Sequence, residues 1–192
     1  GFCPALVTVY GGEVRKRAAI AKDKSLFPPL PDPTLPSTVK PYGIVVAGIG
    51  GTGVVTIGAL LAAAAHMEQK VASLLEITGM AQKNGAVYAH LKISDERGAL
   101  HSVRLGPGAA DLLLGCDLVA ASGAETLAAL TPGKSSAVVN QHETMTPDFL
   151  RSPDLKFPGQ ALINALKNAT SPDRSHVLEA TKFATSLLGD SI

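Results

Sequence analysis

Residues 43–66, GIVVAGIGGTGVVTIGALLAAAAH, constrain the fold more than any other stretch. An unbroken apolar run ends at Gly48, a loop carrying Gly48, Gly50, Gly51 and Gly53 follows, and an alanine- and leucine-rich segment comes next. An apolar run of strand length bounded by glycines reads as a buried strand, and the segment beyond it as a helix. Glycines let the backbone turn sharply and leave no side chains above successive amides, so an anion is favoured where those amides meet the positive end of a helix. The spacing Gly48-x-Gly50-x-x-Gly53 matches a dinucleotide fingerprint, and Glu76 falls where an acidic ribose ligand would stand. Three readings stay open: a phosphate or pantetheine contact, a dinucleotide site, or close packing of helix on strand with no ligand. A P-loop is excluded, because no Gly-Lys-Ser/Thr follows.

The rest of the chain sets the context for that unit. Residues 26–41, LFPPLPDPTLPSTVKP, are dense in proline, which lacks the amide donor and fixes φ, so they read as an extended linker. The linker separates an arm, residues 1–25, from a body, residues 42–192, and an arm this short buries no core of its own. The opening GFCPALVTVYGG lacks Met and reads as strand and turn, as expected for a piece of a longer polypeptide. In the body, strands are expected over 42–47, 70–77, 86–93, 117–122 and 136–140. Helices are expected over 52–67, 124–130, 160–167 and 176–188. A helical turn is expected over 108–115, and a short hairpin strand over 101–105. Residues 78–85 form a polar loop at the carboxyl end of a strand. There Gln82, Lys83 and Asn84 face the same crevice as the glycine loop, with a cation and amides suited to a phosphate. The expected architecture is α/β: a three-layer α/β/α sandwich on a mostly parallel, mixed sheet with a Rossmann-like glycine loop, plus the extended N-terminal arm. The hairpin after the second strand departs from the second crossover of a nicotinamide-binding half and weighs against a free-standing NAD(P)-dependent dehydrogenase.

Composition narrows the function classes. With 46% hydrophobic residues, only 4% aromatic and no Trp, the core must be built from Ala, Val, Leu and Ile. No apolar run reaches the ~18 residues of a membrane span. A net charge of +1 is no footprint for nucleic acid, and Arg15, Lys16 and Arg17 read as a solvated cluster. Two cysteines, Cys3 and Cys116, make no disulfide framework, and a reducing cytoplasm is the default. The five histidines do not converge: His142 lacks a second His four residues on, His90 reads as a strand residue, and His66 suits a helix C-terminus. No GxSxG, CxxC or paired-carboxylate motif is present, so no catalytic residue is expected in this chain.

GIGGTGVVTIGALLAAAAH, TGMAQKNGAV, ADLLLGCDLVAAS, VVNQHET and ATSLLGDSI together resemble the γ-type domain of 2-oxoacid:ferredoxin oxidoreductases, within them most closely the fused indolepyruvate ferredoxin oxidoreductases. GFCPALVTVYGG is similar to the end of the preceding thiamine-diphosphate module of such fused chains. The resemblance implies oxidative decarboxylation of an aryl or branched 2-oxoacid, with coenzyme A taking the acyl group. Thiamine diphosphate and 4Fe–4S clusters would be held by the intact enzyme, and electrons would pass to ferredoxin. Cys3 would be a cluster ligand only in that intact enzyme. The γ-type domain would act as structural and interdomain partner in a homo-oligomer. Its cofactor-facing residues would be Gly48, Gly50, Gly51, Thr52, Gly53, Gln82, Lys83 and Asn84, with a part in coenzyme A handling. Asn84 stands where the family's QKGG-like stretch has glycine.

Overall fold

The structure, a computed structural model, describes residues 10–11, 29, 31–79, 85–142 and 157–188. Two compact units divide the chain, Gly1–Asp32 and Pro33–Ile192. In the first, the described residues are few: Tyr10 and Gly11 form an exposed bend, and Pro31 and Asp32 are exposed. All the regular structure among the described residues lies in the second.

Its centre is β1 (Tyr42–Ile49), every residue of which after Tyr42 is buried. A strand covered on both faces needs a continuous apolar run, and YGIVVAGI supplies one. The loop after β1 leads into α1 (Val54–Met67). β2 (Val71–Thr78) and β3 (Ala86–Ser94) follow, then β4 (Leu112–Gly115), α2 (Leu118–Ala121), α3 (Ala124–Ala129) and β5 (Ser136–Asn140). After residue 156 come α4 (Gly159–Thr170), β6 (Ser175–Leu178) and α5 (Ala180–Leu188). The six strands lie in the order β2-β3-β1-β4-β5-β6. β3 runs antiparallel to both β1 and β2, whereas β1, β4, β5 and β6 are parallel neighbours. The sheet is therefore mixed, as the sequence leads one to expect.

Alternate residues of β1 feed two cores. Val45 and Ala47 join Leu113, Val139, Leu118 and Leu166 on the face covered by α2, α3 and α4. Ile44 and Val46 join Ala89, Leu91 and Val54 on the face covered by α1. Gly58 lets α1 sit close: a Cβ there would stand 3.1 Å from Ala89 Cβ and 3.1 Å from Leu74 Cδ1. The two faces are not equally covered. Toward β4–β6 on the α1 side, Leu112 and Leu114 are half-buried and Val138 is 36% exposed.

At the opposite end of the sheet from the glycine loop, Thr38 is pinned. Its hydroxyl donates to Asp95 Oδ1 (2.6 Å), its carbonyl accepts from the Asp95 amide (3.0 Å), and Lys70 Nζ donates to both side chains. These bonds hold the approach to β1 beside the far ends of β2 and β3.

Several expected elements differ. Residues 108–115 contain no helical turn of that extent; Leu112–Gly115 is the strand, and the strand expected over 117–122 is the helix α2. The reason is the Asp117 carboxylate, which accepts the Ala120 amide (2.9 Å) and starts a helix. Residues 101–105 form no strand; instead the Leu105 amide donates to His90 Nδ1 (3.0 Å). The helix expected over 176–188 begins only at Ala180, because Ser175–Leu178 extends the sheet beside β5. No described helix is long and apolar enough to cross a membrane.

The unequal cover makes a prediction about neighbours on β4. Leu113 is wholly buried between sheet and helices, and Leu114 faces the thinly covered side. Leu113→Ala is expected to cost about 2–5 kcal/mol, and Leu114→Ala distinctly less, in urea unfolding of the same chain. Equal losses would contradict the asymmetry.

Candidate functional site

The parallel strands β1, β4 and β5 end together, and their carboxyl ends open into a crevice of about 550 Å³. The glycine loop forms one wall, and Cys116, Asn140, His142 and Thr181 form the other. The glycines do different things. A Cβ on Gly48 would stand 2.3 Å from Thr52 Oγ1, 2.7 Å from Val54 Cγ2 and 2.9 Å from Cys116 Cβ, so Gly48 is a packing glycine. Gly51 (φ +95°) and Gly53 (φ +80°) are in the left-handed region, and a Cβ on either would meet open space. Gly50 is held by its amide, which donates to Gly85 O (2.9 Å). Thr52 closes the turn: its hydroxyl donates to Ile49 O at 2.8 Å.

Gly53 is the N-cap of α1, with no side-chain cap and no acidic residue in the first turn. Among the described residues, no side chain caps the positive end of this 14-residue helix beside the crevice. From there an apolar trough of about 340 Å³ runs over Leu114 and Val138 toward Leu178 and Ala184, between α1 and α5.

Asn140 joins the far wall together. Its amide nitrogen donates to Cys116 O (3.1 Å) and Thr181 Oγ1 (2.8 Å), and its Oδ1 accepts the His142 amide (3.3 Å). Asp117, next to Cys116, is fully buried, and its Oδ2 has no hydrogen-bond partner among the described residues. Burial pushes the Asp117 carboxyl above the usual carboxylate range, against the backbone amides of Ala120 and Val119. Burial likewise raises the Cys116 thiol, with a hydrogen bond involving Thr52 opposing it, so this sulfur is not an activated nucleophile. Sequence reasoning singled out neither Asn140 nor Asp117. For Asp117 a signal existed, since an Asp directly before LVAA is a helix-start pattern.

The structure brings Gly50, Gly51, Thr52 and Gly53 together on the crevice, with Gly48 packed beneath. Gln82, Lys83, Asn84 and Cys3 lie outside the described residues. Glu76 is exposed on the edge strand β2, and β3 stands between it and β1. Its register runs through Ala89 to Val46, two inter-strand spacings of ~4.8 Å each. A dinucleotide site needs that carboxylate one strand from the loop, so the dehydrogenase reading loses its second support. Among the described residues, no three His, Cys, Asp or Glu side chains gather to hold a metal ion.

A family model described as pyruvate ferredoxin/flavodoxin oxidoreductase matches residues 43–189. The chain belongs to that family. Among its relatives is indolepyruvate oxidoreductase subunit IorB of Methanothermobacter thermautotrophicus, 28% identical over 128 residues, which are 66% of this chain and 61% of the relative. The same subunit of Archaeoglobus fulgidus is 30% identical over 129 residues, 66% of this chain and 60% of the relative. The chain thus spans about three fifths of the length of these curated relatives. Two solved structures share the fold. Pyruvate oxidoreductase subunit PORC of Thermotoga maritima has a TM-score of 0.55 at 19% identity, covering 80% of this chain and 70% of that one. The 2-oxoglutarate:ferredoxin oxidoreductase of Magnetococcus marinus, with 2-oxoglutarate, coenzyme A and succinyl-CoA bound, has a TM-score of 0.56 at 16% identity. It covers 79% of this chain and 22% of that one. The chain thus shares its fold with both.

Two predictions test the build of the loop. Gly48→Ala, whose methyl meets three neighbours below 3 Å, should destabilise by about 1–3 kcal/mol. Gly51→Ala meets no atom and should lose only the left-handed strain of about 1–2 kcal/mol; thermal melts of both variants would rank them. For Asp117 the raised folded-state pKa means that the native state binds more protons than the unfolded chain. Its contribution is therefore favourable at low pH and is lost as pH rises above the unfolded value through the folded one. Asp117→Asn keeps an acceptor for the Ala120 amide and should flatten that pH dependence, with a gain in stability near neutrality. Asp117→Ala should lose about 1–2 kcal/mol with the cap. Urea titrations at pH 5 and pH 8 measure both; an Asn variant with an unchanged pH slope would refute the assignment.

Proposed function

We propose that the chain is the γ-type part of a 2-oxoacid:ferredoxin oxidoreductase acting on an aryl 2-oxoacid of the indolepyruvate class. In this reading residues 42–192 are the γ-type domain and residues 26–41 a linker. Residues 1–25 are the tail of a thiamine-diphosphate module, with Cys3 a 4Fe–4S ligand in the intact enzyme. Family membership and the likeness to indolepyruvate oxidoreductase subunits support the class. Thiamine diphosphate, held elsewhere in the assembly, would supply the carbanion-stabilising thiazolium, and the clusters would carry single electrons to ferredoxin. The partners are the other subunits or domains of that enzyme, in a cytoplasmic homo-oligomer, with neither nucleic acid nor membrane among them.

Within that machine this chain receives coenzyme A. The observation that carries the reading is the N-terminus of α1, without a side-chain cap among the described residues, opening on a crevice continuous with an apolar trough. A phosphate suits the first amides of α1, from Gly53 onward, beside Gly50, Gly51 and Thr52 on the crevice; Gln82, Lys83 and Asn84 are proposed as further contacts to it. A pantetheine arm, slender and weakly polar, suits the trough over Leu114 and Val138. The chain's residues orient and desolvate the ligand; none of them breaks a bond. Calorimetric titration of the full chain with coenzyme A and with NAD tests this. Coenzyme A is expected to bind more weakly as salt rises. Val55→Glu, which puts a carboxylate in the exposed first turn of α1, is expected to weaken it by about fivefold. Tight, stoichiometric NAD binding without coenzyme A binding would overturn the reading.

A further inference from the structure

On the other face of the sheet from α1 lies a second cavity, of about 560 Å³, a volume typical of small-ligand sites. β3 forms one wall with His90 and Lys92, and α3 forms another with Glu125 and Ala128. The crossing segment closes it with Arg104, Leu105 and Pro107. Because His90 pairs with Val45 in the antiparallel ladder, its side chain shares the face of the α2–α4 core.

The charges in this cavity do not cancel. Arg104 and Glu125 neutralise each other across an ion pair of 2.5 Å. Lys92 is half-buried and makes no hydrogen bond or ion pair among the described residues. His90 adds no charge of its own, since its buried Nδ1 accepts the Leu105 amide at 3.0 Å and so carries no proton. One ammonium is left without a partner beside apolar surface from Leu105, Pro107 and Ala128. The Lys92 side chain is half-buried and its ammonium has no protein acceptor among the described residues, so a carboxylate placed there gains a charge-assisted hydrogen bond. The apolar walls ask for a hydrocarbon or aryl body behind that carboxylate.

We infer that this cavity is a binding site for small organic carboxylates with an apolar body, held by Lys92 and seated on Leu105, Pro107 and Ala128. It stands independently of the coenzyme A reading, because it shares no residue with the crevice. The test is amide NMR of the full chain titrated with benzoate and with its neutral isostere benzamide. Benzoate should bind saturably, move the Leu105 and Ala128 resonances, and bind about tenfold more tightly than benzamide. Lys92→Met should abolish that preference. Glu125→Gln, which removes the competing carboxylate and frees Arg104, should strengthen benzoate binding by about threefold. The two variants act in opposite directions, so misfolding of one cannot imitate the result. No saturable binding, equal affinity for benzoate and benzamide, shifts centred on Gly51 and Gly53, or variants that leave benzoate affinity unchanged would each overturn the inference.

Discussion

The burial of β1 on both faces is the constraint from which the rest follows. A strand with no solvent face must satisfy every backbone amide and carbonyl through its neighbours. β3 pairs with all eight residues of β1, from Tyr42 to Ile49, whereas β4 pairs with only four, Ile44 to Ala47. The parallel ladder is extended one step by the Cys116 amide on Ala47 O (2.7 Å), and then β4 ends. Gly48 sits where Thr52, Val54 and Cys116 converge, and only a residue without a side chain fits between them. The glycine loop is thus placed first by packing. Its left-handed positions, Gly51 and Gly53, then turn the chain back over the sheet into α1.

The same strand order explains why the crevice is where it is. Inserting β3 between β2 and β1 puts α1 over β1, β2 and β3 and leaves β4–β6 thinly covered on that face. α5 lies beside this gap, yet Phe183 is 59% and Leu187 45% exposed. On the opposite face α2, α3 and α4 make a continuous cover around Leu113, Val139 and Leu166. A domain with one finished face and one unfinished face has apolar surface left over for a ligand or a neighbouring subunit. That suits a member of a family whose relatives here are named as subunits.

Much of this was legible in the residues, and the failures have local causes. β1, its glycine loop and α1 follow from an apolar run ending at glycines, and β2 and β3 from the turn-bounded runs that flank residues 79–85. The exchange of strand and helix around Cys116 arose because LLLG and LVAA are equally apolar, so periodicity does not separate them. What separates them is one side-chain bond, Asp117 to the Ala120 amide. β6 was absorbed into the helix after it because SHVL is short and becomes a strand only through its register with β5. Asn140 was invisible for another reason: its partners Cys116 and Thr181 lie 24 and 41 residues away. Glu76 has the right spacing along the chain, but sequence spacing is silent on which strand lies between.

Two helix starts at the same end of the sheet are finished in opposite ways, and the contrast bears on what the crevice is for. α2 is only one turn long, yet a buried carboxylate caps it, with Oδ1 on the Ala120 amide. α1 is more than three times as long, and its N-cap is a glycine with no side chain to accept the first amides. Asp, Asn or Ser at an N-cap is the ordinary way to satisfy those donors. Glycine at position 53 gives that up while allowing the left-handed turn and leaving the space above it empty. The sequence also keeps acids out of the first turn of α1, where they would stabilise the isolated helix. Both choices lower the intrinsic stability of the helix start and raise its attraction for an outside anion. Asp117, the nearby acid, is fully buried with its Oδ1 turned to the Ala120 amide, and burial pushes its carboxyl above the usual carboxylate range. The left-handed turn into α1 calls for glycine at position 53, and the same glycine leaves the helix end without a side-chain cap.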